Sequence, residues 1–161
     1  MKYGLTLMTG LLVAGVVGTT AVSDGHANKA TMAAVQARQS QMTLYAFNIE
    51  LLGEMAKGAV EYDAAAASAA ASNLTTLIKL DQSRYWPPGS DNQTLGDEAT
   101  EALPKIWEAD SKVGESAKAM VEAAANMEQA AGGGLDALRG AIGPLGKACT
   151  NCHETYRKPM N

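Results

Sequence analysis

The stretch "LDALRGAIGPLGKACTNCHETYRK", residues 135–158, decides the architecture. Leu135, Leu138, Ile142, Leu145, Cys149, Cys152 and Tyr156 recur at alternating intervals of three and four. That spacing lays one apolar stripe along a helix that packs against others. Pro144 interrupts the run and removes a backbone donor at a cost of about 3 kcal/mol, which predicts a kink or a restart there. The phase of the stripe nevertheless continues across it. Both cysteines of the chain lie on this inward stripe, three residues apart, and His153 follows the second. Arg157 and Lys158 then suit the negative end of a helix dipole.

Outward from this segment, the same periodicity repeats. Val35, Met42, Tyr45, Ile49 and Leu52 form a first helical stripe, with Arg38 in the position where an apolar residue is missing. Lys57-Gly58 is a C-terminal stop signal. Asp63 is a good N-cap for a second helix, Ala-rich, with Ala70, Leu74, Leu77 and Ile78 inward. The polar run "DQSRYWPPGSDNQTLGDEAT" (81–100) contains Pro87, Pro88, Gly89 and Gly96, and predicts a long loop without helix. Pro104 suits the first turn of a third helix carrying Ile106, Ala109, Val113, Ala117, Met120, Ala124, Met127 and Ala131. Gly132 to Gly134 end it. Trp107 is expected to cap the core beneath this helix, and Tyr85 and Trp86 to shield the edge of whatever the loop covers. Four amphipathic helices without a convincing strand predict an all-α fold, an antiparallel four-helix bundle.

The chain has 161 residues, enough for one domain with a real core. Its formal charge of −4 leaves no basic face for nucleic acid. The first residues carry Lys2, an apolar run from Leu5 to Val17, and small residues at Gly25 and Ala27. This is the layout of a secretory signal peptide, and the apolar run is short for a span of about 20 residues. The expected organisation is a signal peptide at 1–27 and a bundle domain at 28–161, exported from the cytoplasm, with no membrane contact after cleavage. Loss of His26 with the leader leaves His153 as the sole histidine.

Paired cysteines admit several chemistries. A disulfide within one helical turn closes a tiny loop and adds little stability. A thioredoxin-like pair opens a helix after a strand, and no strand is expected here. A zinc site needs four ligands, so carboxylates would have to complete it. Covalent haem attachment through C-x-x-C-H uses Cys149, Cys152 and His153 at once: two thiols for the vinyl groups and one imidazole for the iron.

The closing motif "CTNCHETYRK", together with "ARQSQM" (37–42), "MAKGAVEYDAAAA" (55–67) and "LPKIW" (103–107), resembles the class II c-type cytochromes. These include cytochrome c′ and its low-spin relatives. The resemblance implies a periplasmic protein with one covalent haem c, often a homodimer packed through its first two helices. It implies that Arg38 and Gln39 lie beside the haem, and that Arg157 sits near the bound imidazole. An arginine fork also matches a haem propionate. The resemblance puts Met42 on the open side of the iron. A bound thioether there gives a six-coordinate electron carrier working with redox partner proteins. A side chain that only covers the iron leaves a five-coordinate haem open to nitric oxide or carbon monoxide. No catalytic constellation is visible, so the protein is expected not to be an enzyme. A second apolar set on the first helix, Leu44, Phe47, Leu51 and Met55, points to packing against another subunit.

Overall fold

The computed structural model describes residues 21–159, with side chains from residue 28 onward. The expected leader falls outside the described residues over 1–20, and its last seven residues lie within the printed bounds of α1, Ala21–Lys57. Local chemistry sets the ends of the elements that follow. Gly58 takes φ +78°, a left-handed conformation that needs glycine, and its N–H bonds the Met55 carbonyl at 3.1 Å. Asp63 caps α2 (Ala64–Ile78) by accepting the Ala66 N–H at 2.7 Å. Gly134, at φ +110°, turns the chain into α5 (Leu135–Tyr156). The Tyr62 hydroxyl holds that turn, donating to the Ala131 carbonyl at 2.8 Å and accepting from Gly134 N–H at 3.0 Å.

Helices α1, α2, α4 (Val113–Ala130) and α5 form a ring in which α1 packs on α2, α2 on α4, α4 on α5 and α5 back on α1. Neighbours run antiparallel. Thr75 reaches the Ala124 carbonyl, while a Cβ on Gly132 would come within 2.4 Å of Ser68 Oγ, so α2 and the end of α4 run close together in opposite directions. Small residues permit this approach: Ala67, Ala71 and Ala124 are fully buried between the larger Leu52, Leu74, Met127, Leu138 and Leu145. No helix among the described residues is long and apolar enough to cross a membrane.

Several local expectations change. The segment opened by Pro104 is a short 3-10 turn, Pro104–Trp107, and the third bundle helix begins only at Val113. Proline sets the turn, but Glu108 is extended and Trp107 is drawn off to donate to the Trp86 carbonyl at 3.0 Å, with the two rings 6.3 Å apart. Trp107 therefore pairs with the loop. The loop itself contains a four-residue helix, α3 (Asn92–Leu95), because Asp91 caps it through the Thr94 N–H at 2.9 Å before Gly96 ends it. Helix α5 continues through Pro144, so the chain does not restart there. Gly140, whose carbonyl would have received the missing bond, and Gly143 have open space beside them, which lets the backbone absorb the proline ring. On α1, Leu44 and Phe47 are exposed as expected, but Met55 is buried in the chain's own core and Leu51 packs against that core.

Candidate functional site

The hydrophobic core occupies one length of the bundle. On α1 it runs from Tyr45 to Met55, and on α5 from Leu138 to Ala148. Between these limits and the buried Val35 and Tyr156 farther along, the character changes. Met42 is 37% exposed, His153 is exposed, and Cys149 and Cys152 are half-buried. None of these four belongs to the core cluster. Met42 is therefore not core filler; its neighbour Gln41 faces inward instead, donating to the Leu77 carbonyl at 2.8 Å.

The register of α1 against α5 follows from two links. At one end, Arg139 Nε donates to the Ala56 carbonyl at 2.8 Å. Antiparallel helices climb about 1.5 Å per residue. Fourteen residues beyond Arg139 is His153, and fourteen before Ala56 is Met42. At the other end, adjacent residues of the long loop join the same two helices. Thr100 accepts from Arg38 Nη2 at 2.7 Å, and the Glu101 carboxylate lies 3.7 Å from Arg157 Nε. Met42 follows Arg38 by four residues, and His153 precedes Arg157 by four. Both links set Met42 and His153 within about one helical turn of the same height.

Each candidate ligand is in the state that coordination or thioether chemistry needs. Both thiols are unbridged. Burial pushes the Cys149 thiol up, with the Cys152 charge adding to it, and burial does the same to Cys152. Both are thus neutral thiols at neutral pH. Burial, then Arg157, lowers the His153 pKa against a weaker pull from Glu101, which keeps the imidazole neutral with a free lone pair. Cys149 Sγ approaches Met120 Sδ at 3.7 Å on α4. No group of three or more His, Cys, Asp and Glu side chains gathers among the described residues, so the carboxylates needed to complete a zinc site are not beside the thiols. The donor set suits two thioether links and one axial imidazole. A shallow cleft lined by Thr150, His153, Glu154, Arg157, Lys158 and Pro159 opens beside the imidazole.

Arg38 is 3% exposed. Its Nη1 donates to Ser90 Oγ at 2.6 Å and weakly to the Tyr85 carbonyl at 3.4 Å. Its Nη2 donates to the Ser90 carbonyl as well as to Thr100. The guanidinium also lies 4.9 Å over the Trp86 ring. The four terminal N–H groups thus hold the loop, and a propionate nearby would meet a fixed positive charge more than an empty fork. Gln39 is exposed and donates to the Ala99 carbonyl at 3.0 Å. Ser90 and Thr100, both buried, were not singled out by the sequence. Hydroxyl residues in a polar loop look like any others until a buried arginine is found against them.

The family model described as "Cytochrome C'" matches residues 33–157. Cytochrome c-554 from Cereibacter sphaeroides is 44% identical over 125 residues, covering 77% of this chain and 80% of the relative. A solved cytochrome c' from Rhodobacter Spheriodes superposes with a TM-score of 0.77 at 37% identity, covering 81% of this chain and 98% of that one. The nitric oxide complex of a single-site variant of cytochrome c prime from Alcaligenes xylosoxidans gives 0.69 at 32% identity, covering 81% and 97%.

Proposed function

Because the chain belongs to the cytochrome c′ family, we propose that Cys149 and Cys152 attach its covalent haem c, that His153 binds the iron from one side, and that the Met42 thioether binds it from the other. The protein is a c-type haem protein acting in electron transfer. When bound, the haem would supply one-electron redox chemistry. The chain's own residues hold it: two thiols on one helical face, a neutral imidazole, and a thioether from the neighbouring helix α1. We assign the protein no catalytic step of its own.

The observation that carries this reading is the similar height of Met42 and His153, both left open beside a core that stops short of them. The second reading is a gas binder in which Met42 only covers the iron. A relative solved with nitric oxide favours it. Absorption spectra of the ferrous holoprotein, with and without carbon monoxide, separate the two. Six-coordinate low-spin bands that ignore the gas, converted by Met42→Leu to high-spin bands that respond to it, support the thioether ligand. A wild-type protein already high-spin, and unchanged by Met42→Leu, overturns that ligand in favour of the gas binder.

The leader at 1–27 is read as export to the periplasm, where mature chains would start at Asn28; mass spectrometry finding Met1 retained would refute it. Leu44 and Phe47, 47% and 71% exposed on α1, are read as the contact to a second copy. Sedimentation showing only monomer at micromolar concentration would oppose this.

A further inference from the structure

Residues 97–103 cross from α1 to the end of α5, and each end of the crossing lies one helical turn beyond a candidate axial residue. On the α1 side, Thr100 Oγ1 accepts from Arg38 at 2.7 Å and also from its own Ala102 N–H at 3.2 Å, while the Ala99 carbonyl accepts from Gln39. On the α5 side, Ala102 pairs antiparallel with Arg157. Leu103 N–H donates to the Tyr156 carbonyl at 2.9 Å, and Lys158 N–H donates to the Glu101 carbonyl at 2.8 Å. The Glu101 carboxylate faces Arg157, and Lys158 Nζ is bonded to Asp97. Thr100 is 2% exposed and Ala102 9%, so the crossing is packed down at its centre.

A segment tied to α1 through the Arg38 and Gln39 side chains, and to the end of α5 through backbone bonds, constrains their separation where it crosses. Helices are stiff over one turn, so a change in spacing at Arg38 and Tyr156 is passed on to Met42 and His153. We infer that Thr100 and Glu101 are positioning residues, which link the α1 and α5 ends so that a change on the His153 side is felt at Met42. This rests on the reading that Met42 and His153 face one group between them. Thr100 carries the link through its hydroxyl, and Glu101 through its carboxylate and backbone. Both would act only through the two helices, setting where the Met42 side chain stands relative to His153.

The test is a double-mutant cycle in the holoprotein with Thr100→Val and Glu101→Gln, each close in size to the native residue. Two readouts are taken: amide hydrogen exchange over residues 36–44 and 150–157, and carbon monoxide affinity of the ferrous protein in a Met42→Leu background. Glu101→Gln should speed exchange in 36–44, the helix it does not touch, and shift the gas affinity by about fivefold or more, the lower range for coupled sites. Thr100→Val should speed exchange in 150–157. The double variant should exceed either single one by less than the sum of their effects, since both loosen one shared crossing whose backbone bonds remain, and Thr100→Ser should restore native exchange on both helices. Effects confined to each variant's own helix, adding independently in the double variant, overturn the inference. A failed Met42 ligand reading shows up separately, as an unchanged Met42→Leu spectrum, and leaves the exchange result to stand or fall alone.

Discussion

Replacing Arg38 by Met keeps the apolar stem and roughly the length while deleting the guanidinium. The cost follows from what each acceptor loses. Ser90 is fully buried, and its carbonyl loses its guanidinium donor, a loss of about 1–3 kcal/mol. The two hydroxyls fare better. Ser90 Oγ still donates to the Pro87 carbonyl at 2.7 Å, and Thr100 Oγ1 still accepts from Ala102 N–H at 3.2 Å. Each loses one charge-assisted bond, whose replacement by looser geometry costs about 0.5–1 kcal/mol. The cation–π contact with Trp86 is largely replaced by a thioether–aromatic one, a difference of about 0.5 kcal/mol. Against these stands relief from burying a charge, the desolvation that lowers the Arg38 pKa and that Asp91 only partly offsets. The balance is a destabilisation of about 2–3 kcal/mol. Reversible urea denaturation of the holoprotein, followed by helical circular dichroism, measures it. Arg38→Lys restores charge without the fork and should recover less than half of the loss. A change in Arg38→Met below about 0.5 kcal/mol, within the ordinary surface range, would refute the view that this side chain holds the loop to α1.

Asp63→Ala removes the cap of α2 and should cost about 1 kcal/mol in the same assay, whereas Asp63→Asn, which keeps the acceptor, should cost little. Acid provides a third check. Hydrogen bonds from Lys158, then Asn92, hold the Asp97 pKa below the usual carboxylate value. A folded pKa below the unfolded one contributes stability that is present above about pH 4 and disappears as pH falls through the folded value. Lys158→Met should therefore flatten the stability–pH curve below about pH 4 and leave its slope at neutral pH unchanged. An unaltered acid limb would mean that this ion pair does not contribute.

The helices were legible in the sequence because their determinants are local. The three-four stripes, the Asp63 cap and the glycines at 58 and 134 act within a turn or two of chain. The same holds for the cysteine pair and His153, whose placement on one face needs nothing beyond the helical period. Arg38 was legible as an anomaly, a charge on an apolar stripe, but not as a clamp on the loop. Its partners Ser90 and Thr100 lie 52 and 62 residues away, and no periodicity reports a hydrogen bond across that distance. Pro104 misled for a related reason: it sets a turn locally, and the Trp107–Trp86 contact then decides that the turn goes no further.

The amino-acid order alone therefore determined that this chain makes four packed helices and which side chains could ligate, since propensity, capping and periodicity are properties of neighbouring residues. Only the tertiary structure decided that Met42 stands near the height of His153, and that Thr100 and Glu101 span the two helices bearing them. Height along a bundle is set by contacts such as Arg139 with Ala56, made between segments that meet only once the core has packed.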